Sequence, residues 1–168
     1  MEMAIFKWHD GNVPDGVEIK QVYGLIFSND GRLLLRVENN EDGVTYSLPG
    51  GHPEENDNGI EGTVRREIFE EVNITIRSPV IVGYQEVDEE DGQPHIAQVR
   101  MTALINGVGV VRPDLDNGKI YDRILVSPNK AVDLLGWGDV GYYQIKSAMS
   151  IAIKYLGISE FHDKEEYI

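Results

Sequence analysis

One run, Arg66-Glu67-Ile68-Phe69-Glu70-Glu71-Val72-Asn73-Ile74, restricts what this chain can fold into more than any other segment. The apolar residues Ile60, Val64, Ile68 and Val72 recur every four positions, which predicts an amphipathic helix over 60–72 with one buried stripe. Residues three and four apart share a helix face, so Glu67, Glu70 and Glu71 project together, away from most of that stripe. Carboxylates crowded in this way repel one another and weaken a helix. A hard cation such as Mg²⁺ relieves the repulsion, because it takes oxygen ligands and is held by few carboxylates plus substrate phosphate. Upstream, Leu48-Pro49-Gly50-Gly51 reads as a strand end entering a glycine turn. Strand, loop and acidic helix together point to a metal-phosphate site.

Composition narrows the classes. The 168 residues suffice for one well-cored domain and are short for two. No apolar run reaches the roughly 20 residues that span a bilayer, and the N-terminus lacks a signal-peptide pattern. The absence of cysteine excludes disulfides, thiolate catalysis and zinc-thiolate sites, and suits a reducing compartment, so a cytoplasmic location is expected. The net charge of −14, from 29 acidic and 15 basic side chains with no Lys/Arg stripe, argues against gripping duplex nucleic acid. A small phosphorylated nucleotide remains a suitable partner, since a bound cation inverts the local field. No membrane partner is expected, and self-association as a homodimer stays open. Much of the acidity, including Glu165-Glu166, has the plainer use of keeping the protein soluble.

The predicted organisation is an N-terminal extension (1–20) packed on a domain over 21–158, followed by a loose polar tail (159–168). Phe6 and Trp8 mark an extra strand or lid. The runs 21–27 and 32–37, separated by Ser28-Asn29-Asp30-Gly31, predict a hairpin, and 45–48 a short strand. Asp57 or Asn58 is placed to cap the acidic helix. Beyond Pro79, strands are predicted over 80–87, 96–105 and 120–126, and helices over 128–135 and from about 142 to 156. The glycine-rich stretch 136–141 separates the two helices.

These motifs resemble the signature of the Nudix hydrolase family: glycine, a loop with an early glutamate, then Arg-Glu-apolar-any-Glu-Glu-any-Gly-apolar. Its second half is Arg66-Glu67-Ile68-Phe69-Glu70-Glu71-Val72-Asn73-Ile74, and Gly51 anchors the first. The chain departs in three places. The loop between Gly51 and Arg66 is one residue longer, the early glutamate is replaced by Asp57 or Asn58, and Asn73 stands where the family has glycine. Asparagine is the next-best residue for a left-handed helix cap, and loops tolerate insertion, so the early glutamate is the substantive change.

The resemblance implies an α/β fold, a Nudix-type α/β/α sandwich with a mixed, curved β-sheet. It also implies Mg²⁺- or Mn²⁺-dependent hydrolysis of a nucleoside diphosphate linked to another group. Carried onto this chain, Glu67, Glu70 and Glu71 become metal ligands with the carbonyl near Gly51, and Arg66 fixes a carboxylate. A solvated helix face is the commoner fate of such glutamates, and Arg66 to Glu70 alone would be an ordinary helical ion pair. For the general base, a helix glutamate competes with Glu86, Glu89, Glu90, Asp114 and Asp116, each otherwise a solvated loop acid. His52 is a candidate phosphate contact; His95 reads as structural. Tyr46, Trp137, Tyr142 and Tyr143 offer faces to a nucleobase, with core packing the plainer use. Tyr46, His52, Glu86 and Asp116 complete the candidate substrate-binding set. The alternatives are a Nudix-like module that senses a nucleotide without cleaving it, and an acidic interaction domain.

Overall fold

Val22 and Ile26 face one side of a strand, Leu25 and Phe27 the other, and all four are fully buried. A strand buried on both faces must lie inside a sheet covered by two layers. The computed structural model describes residues 3–168 and bears this out. The strands are β1 (Ile5–Asp10), β2 (Glu18–Phe27), β3 (Leu33–Asn40), β4 (Gly43–Ser47) and β5 (Gly50–Gly51). After them come β6 (Ile74–Asp88), β7 (Ile96–Val108), β8 (Asp122–Val126) and β9 (Glu166–Tyr167). They form one open sheet in the order β1-β6-β7-β2-β3-β8-β9, with β4 beside β3 and β5 beside β2. Among the described strands, only β2 and β7 pair in parallel, which makes the sheet mixed. Helix α1 (Ile60–Val72) packs on one face through Val64, Ile68 and Val72. Helices α2 (Pro128–Leu135) and α3 (Gly138–Tyr155) cover the other through Ala131, Leu135, Ile145, Ala148 and Ala152. No described helix is long and apolar enough to cross a membrane.

What positions the site is a split in this sheet. β2 and β3 pair directly only at Phe27 and Leu33, next to their turn. Beyond it they diverge: β3 continues against β4, whereas β2 takes β5 as its neighbour at Tyr23↔Gly50 and Val22↔Gly51. Helix α1 lies across the mouth of the split, in contact with β5 and β2.

Of the two readings of the N-terminal segment, an extra strand or a lid, the strand is found: β1 pairs with β6 over its whole length. The tail beyond Ser159 is tied down rather than loose. Strand β9 pairs with β8, Arg123 Nε donates to the Ile168 carbonyl at 2.9 Å, and Arg32 Nη1 donates to the Lys164 carbonyl at 3.2 Å. Polarity alone gave no sign of this, because the tail is held largely through backbone groups.

Candidate active site

Helix α1 ends where the sequence indicates. Asn73 adopts φ 53°, the left-handed conformation, and its N–H bonds to the Phe69 carbonyl at 3.1 Å. Its start is fixed by a 3₁₀ turn, Glu55–Asp57, that folds back on the helix. The Asp57 carboxylate accepts from Glu54 N–H at 2.8 Å and from Thr63 Oγ1 at 2.9 Å. It also takes a forked pair of bonds from Arg66, Nε at 2.6 Å and Nη2 at 2.9 Å. Asp57, not Asn58, therefore meets the signature arginine. Asn58 instead makes a left-handed turn at φ 58°. The turn comes so close that a Cβ on Gly62 would lie 1.5 Å from the Asp57 carbonyl oxygen.

Arg66 is the hub of the helix face. Besides Asp57, its Nη1 donates to Glu67 at 3.0 Å and to Glu70 at 3.2 Å, and its Nη2 donates to the His52 carbonyl at 2.9 Å. The guanidinium holds the Asp57 carboxyl well below the usual carboxylate range, and Asp57 in turn raises Arg66.

Glu71 points into the split. Its side chain is 6% exposed; it accepts from Gly50 N–H at 2.6 Å and pairs with Arg36 of β3. Neighbouring Gly51 backs onto Glu67: a Cβ there would sit 2.6 Å from the Glu67 carboxyl carbon. A Cβ on Gly50 would meet the Val22 carbonyl oxygen at 2.3 Å. Gly51 thus lets the strand backbone approach the Glu67 carboxylate, and Gly50 lets it lie close against β2. Burial pushes Glu71 up to about 7, against the opposing pull of Arg36 and the Gly50 N–H. Burial also raises Glu67, partly offset by Arg66, and the charges of Glu70 and Asp114 add to the rise. Asp114 is buried in the loop after β7, its Oδ1 accepting from Asp116 N–H at 2.7 Å.

The Glu71 shift sets a pH dependence for the metal-free protein. A carboxyl raised on folding lends stability that is complete below its ordinary value of 4.5 and is lost as pH rises towards about 7. Melting temperature in chelator is expected to fall between these limits. Glu67, raised by burial, and His95, raised mainly by Glu86, act in the same direction, so the decisive comparison is Glu71→Gln, which should make the profile shallower. An unchanged slope in that variant would remove Glu71 as its source.

Oxygen donors in this number suit a hard divalent cation. Among the described residues, however, no three acidic or histidine side chains converge as ligands. Glu71 is turned to Arg36 and Gly50, while Glu67 and Glu70 are turned to Arg66. Glu67 and Glu70 each meet Arg66 through one oxygen, which leaves the other for a cation, whereas Glu71 has both oxygens engaged, with Gly50 N–H and Arg36.

The remaining sequence candidates fall elsewhere. The His52 ring bonds the Lys20 carbonyl at 3.0 Å, so it is the backbone of His52 that touches the Arg66 hub. Tyr46 is half-buried against the core under α2 and α3. Glu86 lies between His9 at 2.8 Å and His95 at 2.7 Å. Asp116 is exposed and contributes its N–H to Asp114. Tyr142 and Tyr143 are exposed on α3 and contact each other edge-on. Trp137 stands at the start of α3 over Arg100. Sequence reasoning missed Arg36 and Arg100. Arg36 carries no motif, whereas Arg100 had a signal, a lone cation inside the apolar run 96–105.

Comparison with known proteins agrees with this architecture. The NUDIX domain model matches residues 19–143. No curated protein sequence matches the chain significantly. Among solved structures, a pyrophosphohydrolase of Bacillus subtilis aligns at TM-score 0.64 and 18% identity, over 86% of this chain and 90% of that one. A NUDIX hydrolase of Nitrosomonas europaea aligns at 0.59 and 18% identity, over 79% and 89%. The NUDIX domain of Shewanella oneidensis NrtR, solved with ADP ribose, aligns at 0.58 and 17% identity, over 80% and 88%. At these identities the structures speak for the fold, and the domain match carries the family. With its mixed sheet, its glycine pair and the acidic helix across the split, the chain belongs to the Nudix family.

Proposed function

We propose that the protein is a Mg²⁺- or Mn²⁺-dependent pyrophosphohydrolase acting on a nucleoside diphosphate linked to another group. The observation that carries this reading is the set Glu67, Glu70 and Glu71 on one helix face, at the mouth of the split sheet and against Gly50-Gly51. These glutamates, with the backbone at Gly51, would hold the cation. A divalent ion there supplies charge neutralisation for the diphosphate and a more acidic water. Arg66 keeps the helix face and the Asp57 loop in one rigid unit, so that Glu67 and Glu70 need not be ordered during the reaction. Glu67 accepts the proton of the attacking water. Burial raises its carboxyl, and it stands beside both Gly51 and the charge of Asp114.

A second reading, a domain that binds such nucleotides without cleaving them, is favoured by the engagement of all three glutamates with arginines. Incubation with Mg²⁺ and a panel of nucleoside triphosphates, ADP-ribose, dinucleotide polyphosphates, nucleotide sugars and capped RNA separates the two. Chromatographic release of products from at least one substrate, abolished by chelator, is expected. Nucleotide binding without turnover across the panel would establish the second reading instead.

A further inference from the structure

A cavity of about 510 Å³ opens on the side of the sheet covered by α3. Two arginines, Arg36 and Arg100, and no acidic residue line it, in a protein whose acids outnumber its bases 29 to 15. The charge of Arg36 is met by Glu71. That of Arg100 is not: the residue is 3% exposed, and no described carboxylate lies within ion-pairing distance. Its partners are neutral. Nε donates to Gln144 Oε1 at 2.9 Å, and Nη1 reaches the Gln98 carbonyl at 3.4 Å. The guanidinium lies over Tyr23 at 4.9 Å and Trp137 at 5.3 Å. Nη2 has no acceptor among the described residues, yet no described buried side-chain nitrogen is left unsatisfied, so this end of the fork reaches open space.

The surrounding amides are organised around the cation. An arginine can only donate, so Gln144 must turn its oxygen to Arg100 and its Nε2 to Gln85, at 2.9 Å. Gln85 then donates to Gln98 at 3.4 Å, and Gln98 to Gln21 at 2.8 Å. Each dipole points its negative end back towards the guanidinium, which partly screens a charge that would be costly to bury alone. The screening is incomplete: burial still pushes Arg100 down to about 10. An anion entering the cavity would supply the missing counter-charge.

We propose that this cavity binds an oxyanion, a phosphate ester or carboxylate, carried on an aromatic or apolar group, with Arg100 as the residue that selects for the charge. The body of the ligand is specified by the walls, where Phe6, Leu48, Trp137 and Val140 present apolar surface around the exposed end of the fork. Arg36 lines the same cavity and pairs with Glu71, so the cavity adjoins the acidic helix. Identifying this ligand as part of a substrate rests on the hydrolase reading; the anion site itself does not.

The test is calorimetric binding to the full chain in chelator, with phenyl phosphate and benzoate as charged probes and phenol as the neutral one. At least one charged probe is expected to bind about tenfold or more tighter than phenol, and to weaken with salt. The stronger of the two shows whether the oxyanion is phosphoryl or carboxylate. Arg100→Gln should abolish this preference, while Arg100→Lys keeps part of it. Should Arg100→Gln fail to fold, Val140→Phe narrows the cavity without touching the arginine's hydrogen bonds, and it should block the probe while leaving the melting temperature near wild type. Equal binding of phenol and the charged probes would overturn the proposal. So would probe binding that Arg100→Gln or Val140→Phe leaves intact, which would make Arg100 a brace between β7 and α3. Failure of the hydrolase reading appears separately, as absence of turnover in the Mg²⁺ panel.

Discussion

Glu70→Gln and Glu67→Gln are each expected to lower turnover at saturating Mg²⁺ by about a hundredfold or more, with little change in melting temperature. Each removes one negative charge where, in the proposed reaction, a cation and a diphosphate meet. Neither removes a side chain from the core, because the buried stripe of α1 is Val64, Ile68 and Val72. In the metal-free protein the loss of one acid even relieves repulsion on the helix face. Metal titration followed by calorimetry should show weakened binding in both variants. Glu67→Gln should also lose the rise of rate with pH, because the proposed proton acceptor is gone. Wild-type turnover in both variants would dismiss the helix face as the metal site.

How far the site could be read from the sequence depended on whether local chemistry decided the outcome. Helix α1 occupies the span that its four-residue stripe indicated, and Asn73 caps it in the left-handed conformation that its side chain tolerates. The span of α2 follows equally from Ser127, Pro128 and Gly136, which cap, start and stop it. Long strands were harder. β6 begins at Ile74, passing through Ser78-Pro79 by a register shift between Arg77 and Val80, with Ser78 at φ 57°. Proline cannot donate to a ladder, so a boundary was the natural reading; the strand uses a bulge instead. Glycine misled in a similar way near α3. Only Gly136 acts as a stop, and the helix resumes at Gly138.

The least legible parts were the long-range pairings. Nothing near Arg36 in the sequence announces Glu71, and nothing near Gln144 announces Arg100. These contacts arise because the split between β2 and β3 admits Glu71, and because β7 turns Arg100 towards α3. Such positions emerge only once strand order is known.

Arg66→Met should cost about 3 kcal/mol of stability and lower the melting temperature by roughly 10 °C. The cost arises at Asp57, whose side chain is only 4% exposed and would keep its charge with two neutral donors and no cation beside it. Arg66→Lys restores the charge but not the fork that bonds both Asp57 oxygens, so it should recover only part of the loss. Asp57→Asn should be milder, because an amide oxygen can still accept from Glu54 N–H or Thr63 Oγ1. Asn58→Gly serves as the control: it keeps the left-handed turn and touches no charge, so stability should stay near wild type. Activity should follow a different order. Every substitution of Arg66 frees Glu67 and Glu70 from their brace, so turnover is expected to fall about ten- to a hundredfold even in Arg66→Lys. If Asn58→Gly proves as damaging as Asp57→Asn, the aspartate is not what fills the place of the family's early glutamate. If Arg66→Met melts like wild type, the hub contributes nothing to the fold.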